Sequence, residues 1–210
     1  MCVIKTSGGL SFMDLISYPE TEIKENEFTF ITGESGCGKS SFLRLLNATA
    51  IPVSGEIYYR GKDIRTLLVL DYRRKVLLAP QEVFLFDGTI AENFNIYRKY
   101  CGKAPLRPSE AAGFLDVCCA DFPVDAVCRT LSGGEKQRVF LSIFLSCMPD
   151  VLLLDEPTSA LDEKTSERLM SNLKEFCKSK KITPVIVCHN SDLVDKFADK
   201  VIKFGRSGVQ

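Results

Sequence analysis

Apolar positions fall into two rhythms along this chain, and the rhythms divide it. Short apolar runs of strand length, bounded by Gly, Pro and polar residues, crowd both ends. Residues 2–6 and 11–17 read as strands joined through Gly8-Gly9. Residues 27–32 read as a strand that runs into a glycine-rich stretch. Pro52 and Gly55 mark a turn, 56–60 a strand and 61–63 another turn. Val76-Leu77-Leu78-Ala79 reads as a buried strand stopped by Pro80. Later, Val151-Leu152-Leu153-Leu154 and Val185-Ile186-Val187-Cys188 are unbroken apolar runs, as expected of parallel strands covered on both faces. A strand at 200–204 follows. Helical spacing marks 40–48, with Phe42, Leu45 and Leu46 on one face. It also marks a short helix at 67–73, one at 191–198, and one at 163–179 carrying Leu169, Met170, Leu173, Phe176 and Cys177, with Asp162 placed to cap it. From about 84 to 149 strands disappear, and the pattern predicts helices at 89–99, 108–119 and 133–147, punctuated by Pro105, Pro108 and Pro123.

Strands alternating with helices imply an α/β fold with a mostly parallel sheet and right-handed crossovers. The central helical stretch predicts an inserted lobe at 84–149, set into a core made of 1–83 and 150–210. The 210 residues suffice for one core with a smaller lobe attached.

Composition changes this picture little and excludes several functions. Apolar residues make up 45% and mean hydropathy is +0.04, which is ordinary globular composition. Lys+Arg and Asp+Glu both number 27, so the basic excess of a nucleic-acid binder is missing. The first residues lack a basic segment followed by an apolar run, so no signal peptide is expected. The longest apolar runs are far shorter than the roughly 20 residues of a membrane span. Nine cysteines without a C-x-x-C pair read as reduced thiols of a cytosolic protein, mostly acting as small core hydrophobes. The one histidine lies away from any paired cysteines, which argues against zinc.

The candidate chemistry starts at Gly33-Glu34-Ser35-Gly36-Cys37-Gly38-Lys39-Ser40, followed by Ser41. A strand enters it and an amphipathic helix leaves it, the context of a phosphate-binding loop rather than of an ordinary capped turn. Glycines let backbone N–H groups turn inward around an anion. The helix N-terminus favours negative charge. Lys39 adds a full charge for β- and γ-phosphates, and Ser40 a hydroxyl for Mg²⁺. Cys37, beside Lys39, is placed where a thiolate is favoured.

Asp155-Glu156-Pro157 ends an apolar strand, where an open α/β sheet places its ligands. Adjacent strand residues point to opposite sides, so the two carboxylates have different work. Asp155 faces the metal, and Glu156 polarises an attacking water as general base. The alternative, a solvated acidic turn, fits poorly after four buried aliphatics. Gln81, at another strand end, is a neutral amide for metal and water. His189 is a lone histidine, usually a structural residue, but it too follows a strand directly. Ser132-Gly133-Gly134-Glu135 opens the helix at 133–147. Ser132 and Glu135 make a capping box. Capping needs no glycines, each of which costs up to about 1 kcal/mol against alanine. Close approach to an anion would need them, so this reads as a second phosphate-binding helix start.

Together these motifs resemble the ATP-binding cassette family over nearly the whole chain. In family order stand the phosphate loop at 33–40, the glutamine loop at Gln81, the signature at 131–135, the Walker B run at 151–155 with Glu156, the D-loop Ser159-Ala160-Leu161-Asp162 and the switch His189. The resemblance implies a P-loop NTPase (RecA-like) core with an antiparallel N-terminal β portion and an inserted helical signature subdomain. It implies ATP and Mg²⁺ as ligands. It also implies a head-to-tail homodimer, each ATP lying between one subunit's phosphate loop and Ser132, Gly133, Gly134 and Glu135 of the other. His189 would contact the γ-phosphate, and Asp162 would couple the two sites.

Three departures stand out: Glu135 where Gln is commoner, Ser40-Ser41 at the loop's end, and no aromatic in residues 3–10, where the family usually stacks adenine. Phe12 and Tyr18 are substitutes out of register, so weak base stacking and low purine selectivity are expected. The run 84–93, Phe84-Leu85-Phe86-Asp87-Gly88-Thr89-Ile90-Ala91-Glu92-Asn93, resembles exporter-type cassettes where they meet membrane subunits. The expected protein is a stand-alone, exporter-like ATP-binding subunit. It would be cytoplasmic and peripheral on the inner face of the cell membrane, through a separate permease. The alternative is a soluble cassette ATPase acting on a macromolecule, but repair types need long heptad arms and translation types usually carry two cassettes. A kinase is disfavoured by the signature, and a GTPase by the absence of Asn-Lys-x-Asp.

Overall fold

A computed structural model describes residues 1–13 and 15–205. In chain order the elements are β1 (Cys2–Thr6), β2 (Leu10–Phe12), β3 (Ile16–Tyr18), β4 (Glu22–Lys24), β5 (Thr29–Gly33), α1 (Lys39–Leu46), β6 (Ile57–Tyr59) and β7 (Lys62–Asp63). Then come α2 (Val69–Lys75), β8 (Val76–Ala79), α3 (Ile90–Tyr100), α4 (Pro108–Val117), α5 (Gly133–Ser146), β9 (Val151–Asp155), α6 (Glu163–Lys180), β10 (Thr183–Val187), α7 (Ser191–Phe197) and β11 (Lys200–Phe204).

The central sheet is five-stranded and parallel, in the order β11-β5-β10-β9-β8. Beside it lie an antiparallel sheet, β4-β1-β6-β7, and the hairpin β2-β3. The expected α/β fold with an antiparallel N-terminal portion is what forms. The single strand expected at 11–17 is instead most of that hairpin, Ser11 pairing with Ser17 across a turn at Met13, whose φ is 56°. Strand β4, a single buried Ile23 between two charges, had no counterpart among the expected elements. β10 starts earlier than its apolar run and includes Pro184, which has no N–H to donate. That is tolerated because pairing with β5 begins only at Val185.

Side-chain alternation sorts the sheet into two faces. Val151, Leu153, Val185, Val187 and Ile31 pack with α1 and the antiparallel strands. Leu152, Leu154, Ile186 and Phe30 pack with α5, α6 and α7. Every residue of β9 and β10 is buried, which is why residues 151–154 and 185–187 run apolar without interruption. A third cluster joins Ile90, Phe94, Ala111, Leu115, Cys128, Val139 and Ile143 from the helical stretch. α5 serves both sides: Val139 and Ile143 enter this third cluster, while Phe140, Leu141, Phe144 and Leu145 enter the sheet's.

Candidate active site

Four neighbouring strands, β5, β10, β9 and β8, end at one edge of the parallel sheet and release the predicted site residues there. β5 leads into residues 34–38, β10 into Cys188 and His189, β9 ends on Asp155, and β8 is followed by Pro80 and Gln81.

The glycines of the first loop are there for space as much as for amides. Gly36 and Gly38 have φ of 79° and 92°. A Cβ on Gly38 would lie 2.9 Å from both Ile16 Cδ1 and Tyr18 Oη. Tyr18 Oη donates to the Gly38 carbonyl at 3.1 Å, and its ring packs on Phe42 and Phe204. Burial pushes its phenol up to about 12. Tyr18 therefore props the loop from beneath and is not a base-stacking platform, which corrects its expected role as a substitute aromatic. Phe12 packs partly against the core as well.

Lys39 is buried, and its Nζ donates to the carbonyls of Gly33 at 3.0 Å and Glu34 at 2.8 Å, with Cys37 Sγ at 3.9 Å. The ammonium thus sits inside the loop, while Glu34, Ser35 and Gly36 are exposed and Ser41 is half-buried. Ser40 Oγ donates to Asp155 Oδ1 at 3.1 Å, joining the first helix to the end of β9. Asp155 is buried, and desolvation raises its carboxyl above the usual range, opposed by the Ser40 hydrogen bond.

Glu156 turns the other way. Its Oε2 accepts from Gln81 Nε2 at 2.9 Å, and its Oε1 lies 2.9 Å from His189 Nε2. One carboxylate is thereby bridged between two strand ends. Its backbone has φ 51°, a left-handed conformation that costs a non-glycine residue about 1–2 kcal/mol. Its N–H donates to Val187 O at 3.1 Å. Residues 33–41, Asp155, Glu156, Gln81 and His189 therefore form one assembly at the sheet edge.

Ser132, Gly133, Gly134 and Glu135 stand apart from that chain of hydrogen bonds, at the start of α5. Glu135 Oε2 accepts the Ser132 N–H at 2.7 Å, and this bond holds its carboxyl below the usual range. Its carboxylate is thus engaged with its own helix start. The two glycines differ. A Cβ on Gly133 would meet nothing within 4 Å, whereas one on Gly134 would lie 2.8 Å from the Ala160 carbonyl. The bareness of Gly134 is thus already demanded by the approach of the 159–162 turn, apart from any anion its N–H meets. Asp162 likewise caps α6, accepting from the Thr165 N–H at 2.9 Å.

Gln137 is the residue that sequence reasoning missed. It is buried on α5, and its Nε2 donates to Glu156 O at 3.1 Å and to Ser159 Oγ at 3.3 Å. Its Oε1 accepts from the Ala160 N–H at 3.3 Å. The available signal was its spacing three residues after Gly134, which puts both on one helix face.

Comparison with known proteins bears on this assembly. Residues 18–159 match the profile of a family described as ABC transporter. The probable iron export ATP-binding protein FetA of Escherichia coli is 36% identical over 184 residues, covering 86% of this chain and 80% of that protein. The methionine import ATP-binding protein MetN of Carboxydothermus hydrogenoformans is 35% identical over 191 residues, covering 86% of this chain and 55% of that one. A solved dimeric structure of a bacterial ABC transporter cassette has a TM-score of 0.85 at 26% identity, covering 99% of this chain and 96% of that one. A dimeric post-hydrolysis state of an ATP-binding cassette bound to ADP and Pi gives 0.84 at 26% identity, with the same coverage.

Proposed function

The chain belongs to the ABC transporter family and is an ATPase of P-loop fold, and on that premise we propose that it is the ATP-binding subunit of an exporter-like transporter. It works as a head-to-tail pair with a second copy. The observation that carries the reading is Glu156, held between Gln81 and His189 beside the Ser40–Asp155 pair.

The residues take the following roles. Amides of 33–38 and the Lys39 ammonium bind the phosphates of ATP, with Ser41 at the helix start. Ser40, Asp155 and Gln81 would hold Mg²⁺; a hydroxyl already bonded to a buried carboxylate is an oxygen-only donor set that suits a small hard cation. That ion, when bound, offsets charge on the β- and γ-oxygens. Glu156 accepts a proton from the attacking water, and Gln81 and His189 orient the carboxylate and the γ-phosphate side of the site. Ser132, Gly133 and Gly134 receive the γ-phosphate of the partner's ATP at the N-terminus of α5. Residues 1–83 and 150–210 act as the ATP-binding core, and 84–149 as the lobe that carries the signature.

A permease would meet the lobe side. Phe84, Tyr100, Leu68 and Leu70 are 58–76% exposed, and a cavity of about 250 Å³ is lined by Leu70, Tyr97, Tyr100 and Phe144. Asn93, fully buried, holds the 84–93 run in shape through the Phe86 N–H at 2.8 Å and the Phe86 carbonyl at 3.0 Å. No helix among the described residues is long and apolar enough to cross a membrane. Through that permease, as for the transporter ATP-binding proteins it is similar to, the chain would sit on the cytoplasmic face of a membrane.

The test is Glu156→Gln. ATP binding is retained, hydrolysis is nearly abolished, and ATP shifts the variant to a dimer on gel filtration. Normal turnover would overturn the assignment of the base. Co-purification with a multi-spanning membrane protein tests the transport reading.

A further inference from the structure

We propose that Gln137 is a positioning residue that ties the start of α5 to the backbone of Glu156, so that engagement of the signature is felt at the general base. The inference rests on the role proposed above for Glu156.

A buried primary amide has two N–H donors and one carbonyl acceptor, and inside a protein each is costly to leave unpaired. Gln137 pairs them all on one short segment: Glu156 O, Ser159 Oγ and the Ala160 N–H. That segment needs holding. Glu156 is in the left-handed region, and its carbonyl also accepts the Ser159 N–H at 3.2 Å, closing a tight turn. Such a conformation persists only where its surroundings over-determine it. The Val187 carbonyl fixes the turn from one side and Gln137 from the other.

One helical turn earlier on the same face, Gly134 lies so close to Ala160 that no side chain fits between them. The α5 start and the 156–160 turn therefore move together. A displacement of Ser132 and Gly133 on meeting a phosphate is passed to the Glu156 backbone through two contacts, the bare Gly134 surface and the Gln137 amide. Because Glu156 Oε1 and Oε2 are already bridged to His189 and Gln81, a small backbone shift changes where the carboxylate points. The polar atoms of Gln137 are all engaged by the 156–160 segment. Gln137 acts through Glu156 alone.

The experiment is a double-mutant cycle on the full chain with Gln137→Met, Glu156→Gln and both together. Single-turnover ATP hydrolysis, ATP affinity and thermal melting are measured for each. Met keeps the length of the side chain and removes the hydrogen bonds. Gln137→Ala replaces it should Met not fold. Misplacing a reacting group by a fraction of an ångström predicts a kcat loss of about 10–100-fold, with ATP affinity within about threefold. In the Glu156→Gln background the same change should cost less than about twofold, because the group it positions is gone. An unaltered kcat would overturn the proposal. So would equal losses in kcat and ATP affinity, or a full loss that persists in the Glu156→Gln background. Normal turnover by Glu156→Gln alone is a separate failure: it removes the assignment of the base and the proposal built on it.

Discussion

Gly133 and Gly134 allow one substitution to be made twice, at adjacent positions, with opposite expected results. Alanine at either position gains helix propensity, worth up to about 1 kcal/mol in a helix interior and less in a first turn. At Gly133 the new methyl meets open space. At Gly134 it would lie 2.8 Å from the Ala160 carbonyl and 3.3 Å from Leu161 Cδ2, closer than real contacts allow. The carbonyl is backbone in a turn fixed by Gln137, so relief requires α5 and the 156–160 turn to part. Overpacking of this kind costs about 1–3 kcal/mol. The propensity gain being common to both, Gly134→Ala should therefore be less stable than Gly133→Ala by about 1–3 kcal/mol. In a chain of this size that is a Tm lower by about 2–12 °C. Melting of the nucleotide-free variants, side by side, measures the difference without any contribution from phosphate binding. If Gly134→Ala melted at or above Gly133→Ala, the contact with Ala160 would not be the reason for the glycine. The anion reading would then apply to both positions.

Two further outcomes follow from the loop and the metal side. Burial raises the Asp155 carboxyl in the folded chain, so the native state holds that proton more tightly than the unfolded one, and the ionised group weakens the fold at neutral pH. Asp155→Asn should then unfold at higher urea than the parent near pH 7, with the gain shrinking as pH falls into the ordinary carboxylate range; a gain independent of pH would contradict this. Cys37 Sγ lies 3.9 Å from Lys39 Nζ in the loop, so iodoacetamide labelling of Cys37, read by mass spectrometry, should fall when ATP is bound, and equal labelling with and without ATP would count against the loop as the binding site.

Most of the fold was readable where local pattern and burial coincide. β9 and β10 are buried on both faces, so their runs of Val, Leu and Ile announce them. α6 announces itself through Leu169, Met170, Leu173 and Cys177, all buried, and through Asp162 at its cap. β4 was unreadable because three residues with one buried side chain carry no period. The turn inside 11–17 was hidden because nothing local distinguishes a left-handed Met13 from an extended one. At the site, residues 33–41, Asp155, Glu156, Gln81 and His189 were legible as strand-end residues whose types match phosphate chemistry. Gln137, the true constraint on Gly134 and the propping role of Tyr18 were not. Each depends on a partner more than fifteen residues away, Glu156 and Ser159, Ala160, and Gly38 respectively, which only the packed chain brings near. α5 hides its polar member further, since almost its whole length after Lys136 is buried and no solvent face remains to set Gln137 off.

Because α5 lends Val139 and Ile143 to the helical cluster and Phe140, Leu141, Phe144 and Leu145 to the sheet's underside, it is common property of two cores. Cutting out 84–149 and rejoining the ends would uncover Leu152 and Leu154, and grafting the segment elsewhere would leave four large apolar side chains without a floor. A change of volume on α5 must therefore be absorbed by the helical cluster and by the strands it roofs at the same time.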